Sequence, residues 1–441
     1  MTTRLIASAV AILLSVGSPL TVNAQTPEAP ARQPIAGRVL TLDEAVAIAL
    51  EQQPQITARL FDYAAARYRV DQALAPLLPQ LTGNVSTTKV QSNIIPSGTG
   101  NPSPVAFTRD FGQTLIAQVA LSQLLFDFGK NLAATEAARK LQDVALESVE
   151  LQRQLISLSV KEAYTNILFA QRLIRVNEQA LQRADLNLKS ARGFYEVGTR
   201  PKSDVARAEV DVANAKLAVI QARNAERLAL VALNTAMAID VDTPTTIQDN
   251  LVYEPVTLDR QAIRAEALRQ RPEYRQAKLT AEAAEAQQRQ AFRNFFPDIT
   301  GSGTYGGVRT DLGPTWSATL ALTWTLFDGG GRIGRYREAR ANYDGAVARI
   351  KSTELDIIQN VEQAQITVID ASERIQAAQT AVASAQENFR LAQGRFDAGV
   401  GTILELTDAQ LALTQAQNTE TQALSDYRIA LYRLDRARGR R

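Results

Sequence analysis

Neither cysteine nor histidine occurs anywhere in the 441 residues. The first absence excludes a disulfide framework and a thiol nucleophile, and leaves no residue to carry a lipid at a processed N-terminus. The second removes the commonest proton shuttle and metal ligand. A phosphate-binding loop is missing too: Gly329-Gly330-Gly331 has no Lys-Ser/Thr behind it. An enzyme would have to work with carboxylates alone, and these lie along helix flanks without visible convergence, so the sequence reads as non-enzymatic and free of cofactors. Lysine plus arginine (48) nearly cancel aspartate plus glutamate (46), for a formal charge of +2, which argues against nucleic acid as a partner. Beyond residue 24 no apolar run reaches the length of a transmembrane helix. If the chain enters a membrane, it must do so with β-strands.

The N-terminus has the layout of a secretory signal. Arg4 precedes an apolar stretch, Leu5 to Val16, and Val22-Asn23-Ala24 forms a small-residue cleavage site. Residues 1–24 are read as a signal peptide, which places the mature chain outside the cytoplasm. Residues 25–40, rich in proline, are read as a mobile lead-in.

The rest of the chain is one pattern written twice, in 41–240 and 257–441, joined by 241–256. Pro79 of LPQLTG returns as Pro297 of FPDITG, 218 residues on. Phe126-Asp127-Phe128-Gly129 returns as Phe327-Asp328-Gly329-Gly330, and Tyr195-Glu196-Val197-Gly198 as Phe396-Asp397-Ala398-Gly399, both 201 residues on. The difference of 17 is an insertion in a turn of the first copy. Such a repeat is the primary fact about the architecture.

Each copy holds a very long helix. Asn131 to Arg192 contains neither glycine nor proline, enough for about 93 Å at 1.5 Å per residue. Ile357, Val361, Ala364, Val368, Ala371, Ile375, Ala378 and Val382 are spaced alternately four and three, as in a heptad seam. The first copy carries the same seam, with Asn177 its one polar member. Shorter helices are expected over 42–75, 203–238, 258–294 and 402–437. These helices alone would suit a soluble coiled coil.

The β-segments change that reading. Trp316, Ala318, Leu320, Leu322, Trp324 and Leu326 alternate with small and polar residues, as in a transmembrane β-strand whose ends are marked by an aromatic girdle, here Trp316 and Trp324. Leu115 to Ser122 repeats the pattern more weakly, and each segment has a partner before it, Leu81–Val90 and Ile299–Val308. Four strands cannot close a barrel alone, so the strands are expected to close across several chains in a ring.

In its LFD-G strand-to-helix junctions (Leu125–Lys130 and Leu326–Arg332) and in its helix-hairpin tips (Tyr195–Arg200 with Ser203-Asp204-Val205, and Phe396–Gly399 with Ile403–Ala409), the chain resembles the TolC family of outer-membrane efflux proteins, from about Leu42 to Leu434. The resemblance implies a mostly α fold with membrane β: a homotrimer in which four strands per chain complete a twelve-stranded outer-membrane β-barrel, and long antiparallel coiled-coil helices form a periplasmic α-barrel. It implies a passive duct in the outer membrane, coupled to a periplasmic adaptor and an inner-membrane transporter, with residues 241–256 in an equatorial belt. Cargo stays open between protein, drug and metal. The rival reading is a soluble periplasmic coiled-coil adaptor.

The same resemblance implies an acidic ring at the periplasmic entrance from Glu405 and Asp408, which share a helix face; two ordinary surface acids are the plainer alternative. It implies closing contacts at Asp204 and Phe396, although Asp204 could equally cap a helix start. An arginine of the closing network would fall at Gly401, which has no side chain to donate; Arg200 and Arg395 are nearby. The adaptor-docking tips are Val197, Gly198, Thr199 and Arg200, and Ala398, Gly399, Val400 and Gly401.

Overall fold

The computed structural model describes residues 38–94, 108–309 and 314–441. The expected signal peptide, most of the expected lead-in and the middles of both hairpin turns lie outside the described residues. The helices are α1 (Leu42–Gln52), α2 (Pro54–Leu74), α3 (Lys130–Glu196), α4 (Lys202–Ala236), α5 (Arg260–Gln270), α6 (Pro272–Arg293), α7 (Gly331–Asp397) and α8 (Ile403–Ala437). The strands are β1 (Val39–Leu40), β2 (Gln80–Ile94), β3 (Thr108–Phe126), β4 (Thr246–Ile247), β5 (Asp298–Arg309) and β6 (Pro314–Thr323).

Two expected helices are each broken in two, at matching places. Residues 42–75 divide at Gln53-Pro54 and residues 258–294 at Arg271-Pro272, 218 residues apart. Proline drives the residue before it out of the helical region, to ψ 117° at Gln53 and 125° at Arg271. It then opens the next helix at its first position. Thr41 starts α1 with a capping box, exchanging backbone-to-side-chain hydrogen bonds with Glu44.

The long helices α3 and α7 each run 67 residues, about 100 Å. The junction motif explains where they start. The Asp127 carboxylate accepts from the backbone N–H groups of Gly129 and Asn131, at 2.9 and 2.7 Å. Asp328 accepts from Arg332 N at 2.9 Å. Gly129 and Gly330 take φ of +79° and +89° to turn strand into helix. The heptad seams are buried as expected, with Val160, Ile167, Val361, Val368 and Ile375 almost fully enclosed. The seam residue Asn177 is buried too and donates to Leu173 O at 2.8 Å.

α3 pairs with α2 and α4 on one side and with α6 and α8 on the other, while α7 lies beyond α6 and α8. The helices thus form one layer in the order α2/α4, α3, α6/α8, α7. The sheet runs in the same order, β2-β3-β5-β6, and is antiparallel throughout. Rows of side chains align across it: Gly83, Val119, Tyr305 and Trp316 stand side by side, as do Leu81, Leu121, Gly303 and Ala318. This apolar face is uncovered, with Trp316 77% and Leu320 73% exposed.

β6 ends at Thr323 instead of running to Leu326. β3 reaches Phe126 because β5 is there to pair with it, across a bulge at Leu124/Phe126; among the described residues no strand pairs with the outer side of β6. Trp324 therefore lies below the strand, donating Nε1–H to Phe295 O at 3.0 Å.

The segment 241–256 straps the two repeats together. Within it β4 pairs in parallel with β1, so the lead-in is structured by Val39-Leu40 and does not stay free to residue 40. Tyr164 on α3 holds both pieces, its hydroxyl 2.8 Å from Gln248 O and 3.1 Å from Leu40 O. Burial pushes this phenol up to about 12, so it remains a donor at any physiological pH. On the second repeat, Tyr427 donates to Glu254 O at 2.6 Å. Asn234, fully buried, donates to the carbonyls of Val241 and Thr243 and accepts from Thr245 Oγ1. Asn234→Ala removes all three hydrogen bonds and is expected to destabilise the chain by about 2–3 kcal/mol, read as a lowered midpoint of unfolding in detergent. A midpoint unchanged from the parent would contradict this role.

Candidate functional site at the helix-hairpin tips

The chain reverses between α3 and α4, and again between α7 and α8, through two copies of one turn. Gly198 sits at φ +76° and Gly399 at φ +77°. In the first turn Gly198 N–H donates to Tyr195 O at 2.9 Å and Thr199 N–H to Phe194 O at 3.0 Å. In the second, Gly399 N–H donates to Phe396 O and Val400 N–H to Arg395 O, both at 3.0 Å. This is a helix end closed by a left-handed glycine, where any Cβ would be strained. The turns present backbone and small apolar surface: Val197, Gly198, Thr199, Ala398, Gly399 and Val400 are all exposed. Gly401, by contrast, is buried against Arg395.

Between the two turns lies one arginine. Arg200 Nη2 donates to Gly401 O at 2.6 Å, joining positions that are equivalent in the two repeats. Its Nη1 is 3.6 Å from Asp204 Oδ2, and both side chains are mostly covered, 13% and 15% exposed. The guanidinium also lies over the Phe396 ring, 4.5 Å from its centre, with Phe194 at 5.7 Å. Phe194 and Phe396 meet edge to face at 5.6 Å. Phe396 is fully buried, packed with Ala392, Ile403, Leu406 and Ala409. A Cβ on Gly401 would come within 3.0 Å of the Arg395 backbone and the Phe396 nitrogen. A side chain at this position crowds the turn, and the guanidinium comes instead from the other repeat.

Asp204 and Phe396 are thus brought together, through Arg200. Asp204 does not cap α4; its carboxylate faces Arg200, and the α4 N-terminus has no side-chain cap. Thr402 caps α8 by accepting from Glu405 N. Glu405 and Asp408 lie on the exposed face of α8. Glu405 pairs with Arg395 at 3.4 Å, whereas Asp408 makes no ion pair among the described residues. The tie made by Arg200 is the feature that reading residues one at a time missed. The signal was the repeat spacing itself, which sets Arg200 opposite Gly401.

At the other end of the helices, no described helix is long and apolar enough to cross a membrane. The uncovered apolar sheet face is the surface suited to lipid.

The outer membrane efflux protein family matches residues 45–238 and 263–440, one stretch in each repeat. Outer membrane protein TolC of Escherichia coli is 25% identical over 406 residues, spanning 85% of this chain and 77% of that protein. The toluene efflux pump outer membrane protein TtgC of Pseudomonas putida is 25% identical over 457 residues, spanning 95% and 91%. The Campylobacter jejuni CmeC outer membrane channel shares the fold, with a TM-score of 0.78 at 18% identity over 90% of this chain and 85% of that one. A match across both repeats and most of the chain, on a scaffold of long coiled coils joined to an amphipathic sheet, means that this chain belongs to the outer membrane efflux protein family.

Proposed function

We propose that the protein is the outer-membrane exit duct of a tripartite efflux pump or type I secretion system, formed by three copies arranged head to tail. The observation that carries the ring is a pair of open edges. β2 and β6 each have a free side among the described residues, and an unpaired edge is not tolerated in hydrocarbon. The helical layer is open on the same two sides. Beyond β2, α2 and α4 expose Phe61, Tyr68, Val210, Leu217 and Ile220; beyond β6, α7 exposes Val347, Leu355, Ile366 and Ile369. Unlike edges on opposite sides make a heterologous contact, which closes into a ring when the rotation allows.

The internal repeat supplies the register. β3 against β5 is the contact between repeats within one chain, and β6 against β2 of the next copy is the same contact between chains. Ala120 pairs with Thr304; shifted by the repeat spacings, Ala321 should oppose Ser86 of the neighbouring copy. The parent chain has no cysteine, so the test has no background. Ser86→Cys with Ala321→Cys is expected to give disulfide-linked dimers and trimers in outer membranes. Ser86→Cys with Thr319→Cys, one pair out of step, should give few, since opposed residues sit about 4.5–5.5 Å apart and diagonal ones about 7–8 Å. Membrane-inserted protein that cross-links in neither pair argues against the ring.

In this reading the tips form the periplasmic entrance. Arg200 ties the two coiled coils of one copy together, Glu405 and Asp408 contribute the acidic ring, and the exposed Val197, Thr199 and Val400 meet the adaptor. An inner-membrane transporter supplies the energy, because the chain has no energy-coupling motif of its own. A soluble adaptor would have no use for the uncovered apolar sheet face.

A further inference from the structure

We infer that a cleft at the equator of the helical layer is a binding site for a small oxyanion, of the phosphate or carboxylate class, held by Arg271, Arg433 and Arg436. The cleft has a volume of about 310 Å³ and is walled by α7 (Asn360, Gln363, Thr367), by α8, and by Arg271 at the α5–α6 break. Asn360, Gln363 and Thr367 lie on the flank of α7 away from Leu355, Ile366 and Ile369 at 100° per residue, so the cleft does not coincide with the α7 edge that faces the next copy.

Its charge is unbalanced. Arg271 is only 5% exposed. Its Nε and Nη2 donate to Glu273, at 3.2 and 2.6 Å, but its Nη1 is buried without a partner. Arg436 shares the same carboxylate at 3.8 Å, and its Nε is likewise buried and unpartnered. Burial disfavours the charged form of Arg436; Glu273 works in its favour, and Arg271 beside it works against it. Arg433, the most exposed of the three, pairs with Glu162 at 2.8 Å. Three guanidinium groups therefore meet two carboxylates, and two of the three retain an unused buried donor. A buried donor without a partner costs free energy that an oxyanion would recover, since guanidinium groups match the geometry of phosphate and carboxylate oxygens.

The site is also built in advance. Pro272 turns the backbone at Arg271, placing that side chain off the end of α5. Gly439, at φ +87°, lets the end of α8 close on this turn: a Cβ there would lie 2.9 Å from the Gln270 carbonyl carbon and 3.0 Å from Arg271 N. Gln154 of α3 fixes the approach by donating to Gly439 O at 2.8 Å.

The test is the thermal unfolding of the full chain in detergent, titrated with inorganic phosphate, sulfate or acetate against sodium chloride of equal ionic strength, together with calorimetric titration of phosphate. The expected result is a saturable rise in melting temperature with an oxyanion that chloride does not reproduce. Arg436→Gln should raise the half-effect concentration at least about tenfold, with Arg436→Lys in between. Arg433→Gln, at a more exposed position, should weaken binding less, and serves if the Arg436 variants fail to fold. An equal rise with chloride, an unchanged response in the folded variants, or no heat of phosphate binding to the parent would overturn the site.

Discussion

Gly306→Val is expected to abolish accumulation of folded chain in the outer membrane. Gly306 lies on β5, where a Cβ would come 2.3 Å from Ala117 O and 2.6 Å from Gln118 Cα. Both are backbone atoms of β3, so no side-chain rotation relieves the clash and the strands must separate. β3 with β5 is the only seam joining the two repeats within the described sheet, and opening it frees two more edges in a medium that cannot solvate them. The expected cost exceeds about 4–5 kcal/mol, an exceptional loss for one substitution. Gly303→Val is the control. It lies on the same strand, but its nearest neighbour, Ser317 O, is at 3.7 Å, an ordinary contact. The yield of protease-resistant chain in washed outer membranes should fall to background for Gly306→Val and stay near the parent for Gly303→Val. Equal yields would mean that the two hairpins are not seamed as described.

Arg200→Met should leave the duct leaky. The substitution removes the hydrogen bond to Gly401 O, the counter-ion of Asp204 and the charge over Phe396, while keeping an apolar stem of similar length. A hydrogen bond from a charged donor contributes about 1.5–3 kcal/mol, and a partly desolvated cation over a ring about 1–2 kcal/mol. With Arg200 and Asp204 only 13% and 15% exposed, solvent screens little of this. A loss of about 3 kcal/mol per copy shifts a closed-to-open ratio roughly a hundredfold. Uptake of a bulky antibiotic by intact cells, and open probability in bilayers, should both rise. Arg200→Lys should give an intermediate phenotype, since an ammonium keeps the charge but loses the planar fork. Arg395→Met, which touches only the exposed pair with Glu405, should resemble the parent. A tight pore in Arg200→Met would show that closure does not depend on this tie.

Most of the scaffold could be read from the sequence because its signals are long. A seam held over many turns of helix, a doubled motif and an extended alternation survive any local irregularity. What escaped was short or relational. The pairing of Val39-Leu40 with Thr246-Ile247 involves two residues on each side, too few to show a period. The alternation from Trp316 to Leu326 outruns its strand because pairing, not pattern, decides where β6 stops. The helix breaks at Pro54 and Pro272 were present as local rules, but the continuing helical pattern on both sides outweighed them. At the tips, the identity of each turn was plain from Gly198 and Gly399. The tie between the turns, however, needs one side chain and one backbone carbonyl, and a carbonyl leaves no mark in a sequence.

The most direct test of the duct is single-channel recording of the purified mature chain in planar bilayers, before and after adding a trivalent cation at the periplasmic side. The expected result is a small, cation-selective conductance that the trivalent ion blocks, with block lost in the Glu405→Ala/Asp408→Ala double variant. A chain that stays soluble and monomeric and forms no channel would contradict it.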